Sequence, residues 1–392
     1  MPFTVLHPNA KVINRSLRVA SLVAALAVSI AASSSAAEKE PASSAPAEVD
    51  VFVAGADGYH TYRIPALVET KQGTLLAMCE GRKTGRGDHG NLDLVQKRST
   101  DGGKTWGKLE LIHEEGGDAN ITIGNPCPVI DQATGTIWLP FTRDNDHVFI
   151  TSSTDDGKTW GKPRDITATT KAADWNWYAT GPGNGIQLTK GKFKGRLVIP
   201  CDHRVNGNKG DKESWQQAGR SHVIYSDDHG QTWKLGGSTD FAMNECAVVE
   251  LPDGSLMLNS RSYRGKSRRG ISISKDGGQT WEPTTDDPTL VESVCQASLI
   301  RYSWPDAGKS RLIFSNPAVP KGRHHVTVRI SYDEGKTWPV SKLICEGSSI
   351  YSSLAKLPGE DIGLLYERGD YKKIVFTRLT LAWLTDGKDA QK

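Results

Sequence analysis

The chain has 392 residues, with 48 Lys and Arg against 45 Asp and Glu, and is 37% hydrophobic and 24% charged. This is a globular composition, long enough for a sizeable core. The whole positive excess is Lys11, Arg15 and Arg18; beyond them the charges balance, which argues against nucleic acid or an anionic membrane surface as partner.

Those three cations precede an apolar run from Val19 to Ala32 that is interrupted only by Ser21 and Ser29. Ser35-Ala36-Ala37 then places small residues ahead of Glu38. Residues 1–37 read as a secretory signal, because the run is too short for the ~20 residues that span a bilayer. The expectation is an exported protein, periplasmic or secreted, with no integral membrane segment after signal removal. A polar linker (38–48) leads into a folded span, 49–384, and a polar tail (385–392) closes the chain. The folded span opens on a strand at Val49–Val53. Tyr62-Arg63-Ile64-Pro65 then sets an arginine inside an apolar strand, and Ser99–Trp106 is the first copy of the pattern S-x-D-x-G-x-T-W.

Four further copies follow, at Ser153–Trp160, Ser226–Trp233, Ser274–Trp281 and Ser331–Trp338. Several come directly after alternating, strand-like runs such as His147–Ile150, His222–Tyr225 and Val326–Ile330. Ser, Asp and Gly supply turn chemistry, and the Trp returns apolar surface to the core. Between the third and fourth copies, Asn259-Ser260-Arg261 ends the strand Ser255–Leu258, and Arg323 opens the strand ahead of the fifth. A last strand is expected over Lys373–Leu381. The copies start 54, 73, 48 and 57 residues apart, so the 336 residues of the folded span hold close to six units. Units of this length suit four short strands, and their radial repetition predicts an all-β, six-bladed propeller. Five boxes for six blades implies a ring closed by the first and last strands in one shared blade.

Cys79, Cys127, Cys201, Cys246, Cys295 and Cys345 have neither zinc-ligand nor redox spacing and are expected as buried thiols. Gly103-Lys104-Thr105 resembles the end of a phosphate loop, but Arg98 stands where its first glycine belongs. His324-His325 is the one histidine pair, and strand alternation would send the two to opposite faces. No metal or cofactor is implied.

Arg63, Arg261 and Arg323 come from three different units. Gathered on one axis, they would be intolerable unless they faced an anion, and a guanidinium fork suits a carboxylate. Together with Gly181-Pro182-Gly183-Asn184-Gly185, Asn244-Glu245, Ile350-Tyr351-Ser352-Ser353-Leu354 and Leu365-Tyr366-Glu367, these residues make the chain resemble the exo-sialidase (neuraminidase) family of the bacterial and animal type, whose Asp boxes match the repeated turn. The resemblance runs from about residue 50 to 384. It implies that Arg63, Arg261 and Arg323 clamp the carboxylate of a sialic acid and that Arg82 also faces substrate. Asp88 falls at the acid/base position, with Asp93 as its nearest competitor. Tyr351 matches the nucleophile, Glu245 its base, and Glu367 the acid that orients Arg63.

The implied activity is retaining hydrolysis of terminal α-linked sialic acids from sialylated glycans, glycoproteins or glycolipids through a glycosyl-tyrosine. Sialidases with a tyrosine nucleophile depart from the usual pair of carboxylates. A neutral phenol avoids the repulsion that an attacking carboxylate would meet from the acid group on the substrate's anomeric carbon. Two alternatives share the carboxylate clamp: a non-catalytic sialic-acid-binding propeller and a trans-sialidase. The first would lose Tyr351, Glu245 or Asp88, and all three are present.

Overall fold

The computed structural model describes residues 45–389 together with Pro2, so the rest of the expected signal (1–37), most of the linker and residues 390–392 lie outside the described residues. The described span falls within one compact unit, Ser43–Lys392. It is all-β, a propeller-like set of small antiparallel sheets. The first sheet holds Thr61–Glu69, Leu75–Arg82, Leu92–Ser99 and Glu110–His113. The second is built around Ile137–Arg143 and His147–Ser153, the third around Leu197–Val205 and Gly219–Ser226, and the fourth around Met243–Glu250 and Leu256–Ser262.

The remaining strands form one sheet of seven rather than two of four. Its cause is the 17-residue strand Val340–Lys356, which stays extended throughout. Its first half pairs with His324–Ser331 and its second with Ile362–Arg368. At the far edge, Glu48–Val53 pairs antiparallel with Lys373–Leu379, so the chain's first and last described strands are neighbours. Glu48, read as the end of the linker, begins that strand and pairs with Arg368. The last strand stops two residues short of the expected Leu381. Thr380 accepts a hydrogen bond from the Trp383 amide (3.0 Å) and caps a short helix, Leu381–Leu384. The tail that follows contributes to the fold: Asp389 is buried and grips Arg311 with both carboxylate oxygens, at 2.8 and 2.6 Å.

The five boxes explain their own repetition. In the first, Ser99 Oγ donates to Asp101 Oδ1 (2.8 Å) and accepts from the Gly103 amide (2.9 Å). Asp101 in turn accepts from the amide and hydroxyl of Thr105, at 3.0 and 2.6 Å. The same ring of bonds recurs at Asp155, Asp228, Asp276 and Asp333. Gly103 has φ +89°, and a Cβ there would lie 2.1 Å from the Phe376 ring. Both the backbone and the close approach demand glycine. The box glycines Gly157, Gly230, Gly278 and Gly335 press in the same way on Leu76, Trp138, Val223 and Met257 of the preceding sheet. Gly103 meets Phe376 on the strand Lys373–Leu379, near the other end of the chain.

All six cysteines are free and buried, as their spacing suggested. His324 and His325 depart from expectation. His325 has φ +62°, which breaks strand alternation, and the two rings touch with centroids 4.6 Å apart. Among the described residues no helix is long and apolar enough to cross a membrane.

A second histidine pair lies within the third sheet, on two adjacent strands. His203 stacks on Trp175 at 3.4 Å between centroids, and its Nδ1 is 2.9 Å from that of His222. Burial drives both imidazoles down, His222 to about 3 and His203 further still. The unfolded chain takes up these protons below about pH 6.5 and the folded one does not, so each histidine removes about 1.4 kcal/mol of stability per pH unit on descending through that window. Asp202, whose carboxyl is pushed well up chiefly by its burial, works in the opposite sense above the usual carboxyl range. The readout is therefore a difference between two proteins. His222→Gln should unfold in urea with a shallower loss of stability from pH 6.5 to 4 than wild type, by one proton's worth. Parallel curves would disprove the assignment.

Candidate active site

Four of the candidates sit at or beside a break in strand register. Arg63 lies on Thr61–Glu69, where a bulge between Arg63 and Ala66 coincides with φ +61° at Ile64. Glu245 falls in the irregularity between Met243 and Cys246, Tyr351 in that between Ser349 and Ser352, and Arg323 just before one at His324–Val326. Bulges re-aim a side chain without ending the sheet, and here they turn polar groups out of apolar strands. Arg261 and Arg82 need no bulge, since they stand at or next to the ends of their strands.

Seven of the eight candidates are linked by direct contacts. Arg63 Nε donates to Glu367 Oε1 (2.8 Å), and the Ile64 amide donates to the same oxygen (3.0 Å). Glu367 Oε2 accepts from the Tyr351 amide at 3.3 Å. One fully buried carboxylate therefore fixes both Arg63 and the backbone that carries Tyr351. The Tyr351 hydroxyl donates to Glu245 Oε1. Arg261 Nη1 reaches Glu245 Oε2 (2.7 Å) and the Tyr351 hydroxyl (3.3 Å). Arg82 Nη1 bonds Asp88 Oδ1 at 2.9 Å, and Arg63 Nη1 meets the same oxygen at 3.3 Å. Arg323 stands 5.8 Å from the Tyr351 ring centroid and has no ion pair among the described residues.

Burial, and next the Glu245 carboxylate, push the Tyr351 phenol well above its ordinary value, against the pull of Arg261 and Arg323. The phenol is neutral, with its proton directed at Glu245. Asp88 is the exposed member, its side chain 75% accessible. What water its surroundings remove pushes the carboxyl up, but Arg82 and then Arg63 outweigh this and hold it below the usual range. Asp93, the competing acid, is buried within the first sheet and accepts the Tyr59 hydroxyl at 2.7 Å, away from the cavity.

The cavity between these groups is about 380 Å³, and besides Arg82, Asp88, Glu245, Arg261 and Tyr351 its lining includes Trp177, Arg204 and Trp215. A larger cavity of about 710 Å³ is bounded by Glu69, Glu250 and Lys356, at the opposite ends of the strands that carry Arg63, Glu245 and Tyr351, and none of the candidates reaches it. The candidate residues gather at the smaller one. Sequence reasoning missed its aromatic wall. Arg204 lies 5.3 Å from the Trp177 ring and 4.7 Å from that of Trp215, which rides on the short helix Lys212–Gln217. Glu80 was also missed. It bonds Arg82 Nη2 at 2.6 Å and the Asn125 amide at 2.9 Å, and its position two residues before Arg82 was the available signal.

The family model of the BNR repeat-like domain matches residues 73–365. A sialidase of Micromonospora viridifaciens is 38% identical over 362 residues, covering 86% of this chain and 54% of its own length. This chain thus spans about half of that relative. An exo-alpha-sialidase of Arthroderma benhamiae is 31% identical, with 84% of this chain and 86% of that protein covered. Among solved structures, the Hadza microbial sialidase Hz136 superposes with a TM-score of 0.78 at 31% identity, over 86% of this chain and 69% of that one. With the repeat, the fold and the arginine-lined cavity in agreement, this chain belongs to the sialidase family.

Proposed function

We propose that the protein is a retaining exo-α-sialidase acting on terminal α-linked sialic acids of glycans, glycoproteins or glycolipids. The observation that carries this reading is the hydroxyl of Tyr351, which donates to Glu245 while Arg261 touches both groups. A tyrosine so placed is a nucleophile with its base, and the neighbouring cations favour the charge that develops as the proton leaves.

In this reading Arg63, Arg261 and Arg323 take the substrate carboxylate, and Arg82 faces the sugar. Tyr351 Oη attacks the anomeric carbon as Glu245 accepts its proton, and the glycosidic bond breaks with its electron pair leaving on oxygen. Asp88 protonates that oxygen. It then takes a proton from water, whose hydroxyl attacks the same carbon and releases Tyr351, with the proton returned from Glu245. Two inversions leave net retention. Glu367 orients Arg63.

The ring is read as six blades, the seven-stranded sheet counting as two. The pairing of Glu48–Val53 with Lys373–Leu379 and the contact of Gly103 with Phe376 support closure by the chain ends. The basic, apolar and small-residue pattern of residues 1–37 supports export. The test is release of 4-methylumbelliferone from its sialic acid conjugate by purified protein. Turnover should appear with the α-anomer of free sialic acid formed first, as read by proton NMR. No turnover across roughly pH 4–8, the span over which carboxyl and imidazole groups titrate, would refute the proposal.

A further inference from the structure

We propose that Tyr371, a residue with no assigned role, is a positioning residue that fixes the plane of the Arg63 guanidinium. The proposal rests on the sialidase reading above. Tyr371 lies at the tip of the hairpin joining Ile362–Arg368 to Lys373–Leu379, where Gly369, Asp370 and Tyr371 have φ of +66°, +55° and +66° in succession. Glycine adopts this region freely and Asp tolerates it, but a bulky aromatic residue there is a genuine outlier. Backbone strain of this kind persists where surrounding structure over-determines it, and it gathers at functional sites.

The surroundings that hold the tip can be named. The Gly369 amide donates to the Ser348 carbonyl (2.9 Å), and the Asp370 amide to Ser348 Oγ (3.1 Å). Asp370 also meets Arg86, on the loop that carries Asp88, at 3.5 Å. The result of this arrangement is that the Tyr371 ring lies 4.3 Å from Arg63 Cζ, closer than the Tyr351 ring at 5.3 Å. It packs beside Ile64, Cys295, Ile350 and Tyr351.

Glu367 bonds the Nε edge of Arg63, which sets the direction of the guanidinium but leaves its tilt free. In this structure Asp88 restrains the tilt through Nη1. Asp88 has to leave that contact to serve the glycosidic oxygen, and the ring face is then the remaining restraint. A bidentate carboxylate contact depends on that plane, and an aromatic face attracts a cation without competing for its hydrogen bonds.

The test compares Tyr371→Phe, which keeps the ring, with Tyr371→Leu, which keeps only apolar bulk. Inhibition by 2-deoxy-2,3-didehydrosialic acid should be unchanged within about twofold for Phe. It should weaken about tenfold for Leu, the order expected of one desolvated cation–π contact, with kcat/KM falling in parallel and the melting temperature close to wild type. In an Arg63→Lys background Tyr371→Leu should add little, because an ammonium has no plane to hold. If Tyr371→Leu does not fold, Tyr371→Asn, whose backbone accepts this conformation, should show the same weakening. An unchanged inhibition constant in the ringless variants, equal losses for Phe and Leu, or additive losses with Arg63→Lys would each overturn the proposal and leave the sialidase reading standing. Failure of the inhibitor to bind wild type would overturn both.

Discussion

Tyr351→Phe should lower turnover by roughly a thousandfold or more, the order seen when a covalent nucleophile is removed, and should leave the binding of 2-deoxy-2,3-didehydrosialic acid within a few-fold of wild type. The substitution deletes one oxygen and keeps the aromatic volume that packs against Ile64 and Ile350. Glu245 loses a donor but keeps Arg261 at 2.7 Å, so no buried carboxylate is stranded. The arginines that would hold the inhibitor's carboxylate are untouched. A large loss in turnover with unchanged ground-state affinity is the mark of a group acting in the transition state. A 3-fluoro-sialosyl fluoride should label wild type at Tyr351, since fluorine at C3 slows breakdown of the covalent intermediate, and the variant should stay unlabelled. Wild-type turnover in the variant, or a label elsewhere with Tyr351 intact, would end the tyrosine mechanism for this protein.

What could be read from the chain depended on how local the physics was. The boxes were legible because every bond in them lies within five residues, and Ser, Asp, Gly and Thr each have one place in that ring. Arg63 and Arg261 stood out as charges in strands that otherwise read as apolar, and the structure shows both held by buried carboxylates, Glu367 from the far end of the chain and Glu245 from the adjacent strand. The devices that turn them toward the cavity were not legible. Nothing in Arg63-Ile64-Pro65 announces φ +61° at Ile64, because that angle is imposed by Glu367, which accepts the Ile64 amide from 303 residues away. The continuous strand Val340–Lys356 was hidden for a related reason. It belongs to two groups of partners, and single-strand patterns do not say where pairing changes hands. Arg204, Trp177 and Trp215 converge from a strand, its neighbour and the helix that follows the first of them, a juxtaposition that only the fold creates. Tyr371 is the extreme case. Its residue type opposes its backbone conformation, so local rules would have removed it from consideration.

Asp88→Ala should separate substrates by their leaving groups. On sialyllactose, whose departing sugar alkoxide needs a proton, kcat/KM should fall by about 10²–10⁴, the usual contribution of a positioned general acid. On 4-methylumbelliferyl sialoside, whose phenolate leaves readily, the loss should be within about tenfold. The structure adds a condition on pH. In the free protein Arg82 and Arg63 both contact Asp88 Oδ1 and hold the carboxyl below its usual range, so at neutral pH it is ionised and is the wrong form to donate a proton. When a substrate carboxylate competes for Arg63, Asp88 loses one of its two cations and its proton affinity rises. The acid form is thus favoured by the event that needs it, and more so as pH falls. For wild type, kcat/KM on sialyllactose should therefore increase on going from neutral toward acidic pH, and that limb should be absent from Asp88→Ala. Weakening the Arg82 contact should move the limb to higher pH, and Arg82→Met tests this without adding charge. Equal losses on both substrates, or an unchanged acidic limb in Asp88→Ala, would transfer the acid role to another residue. Asp93, already committed to Tyr59 and to Lys83 at 3.1 Å, is poorly placed to inherit it.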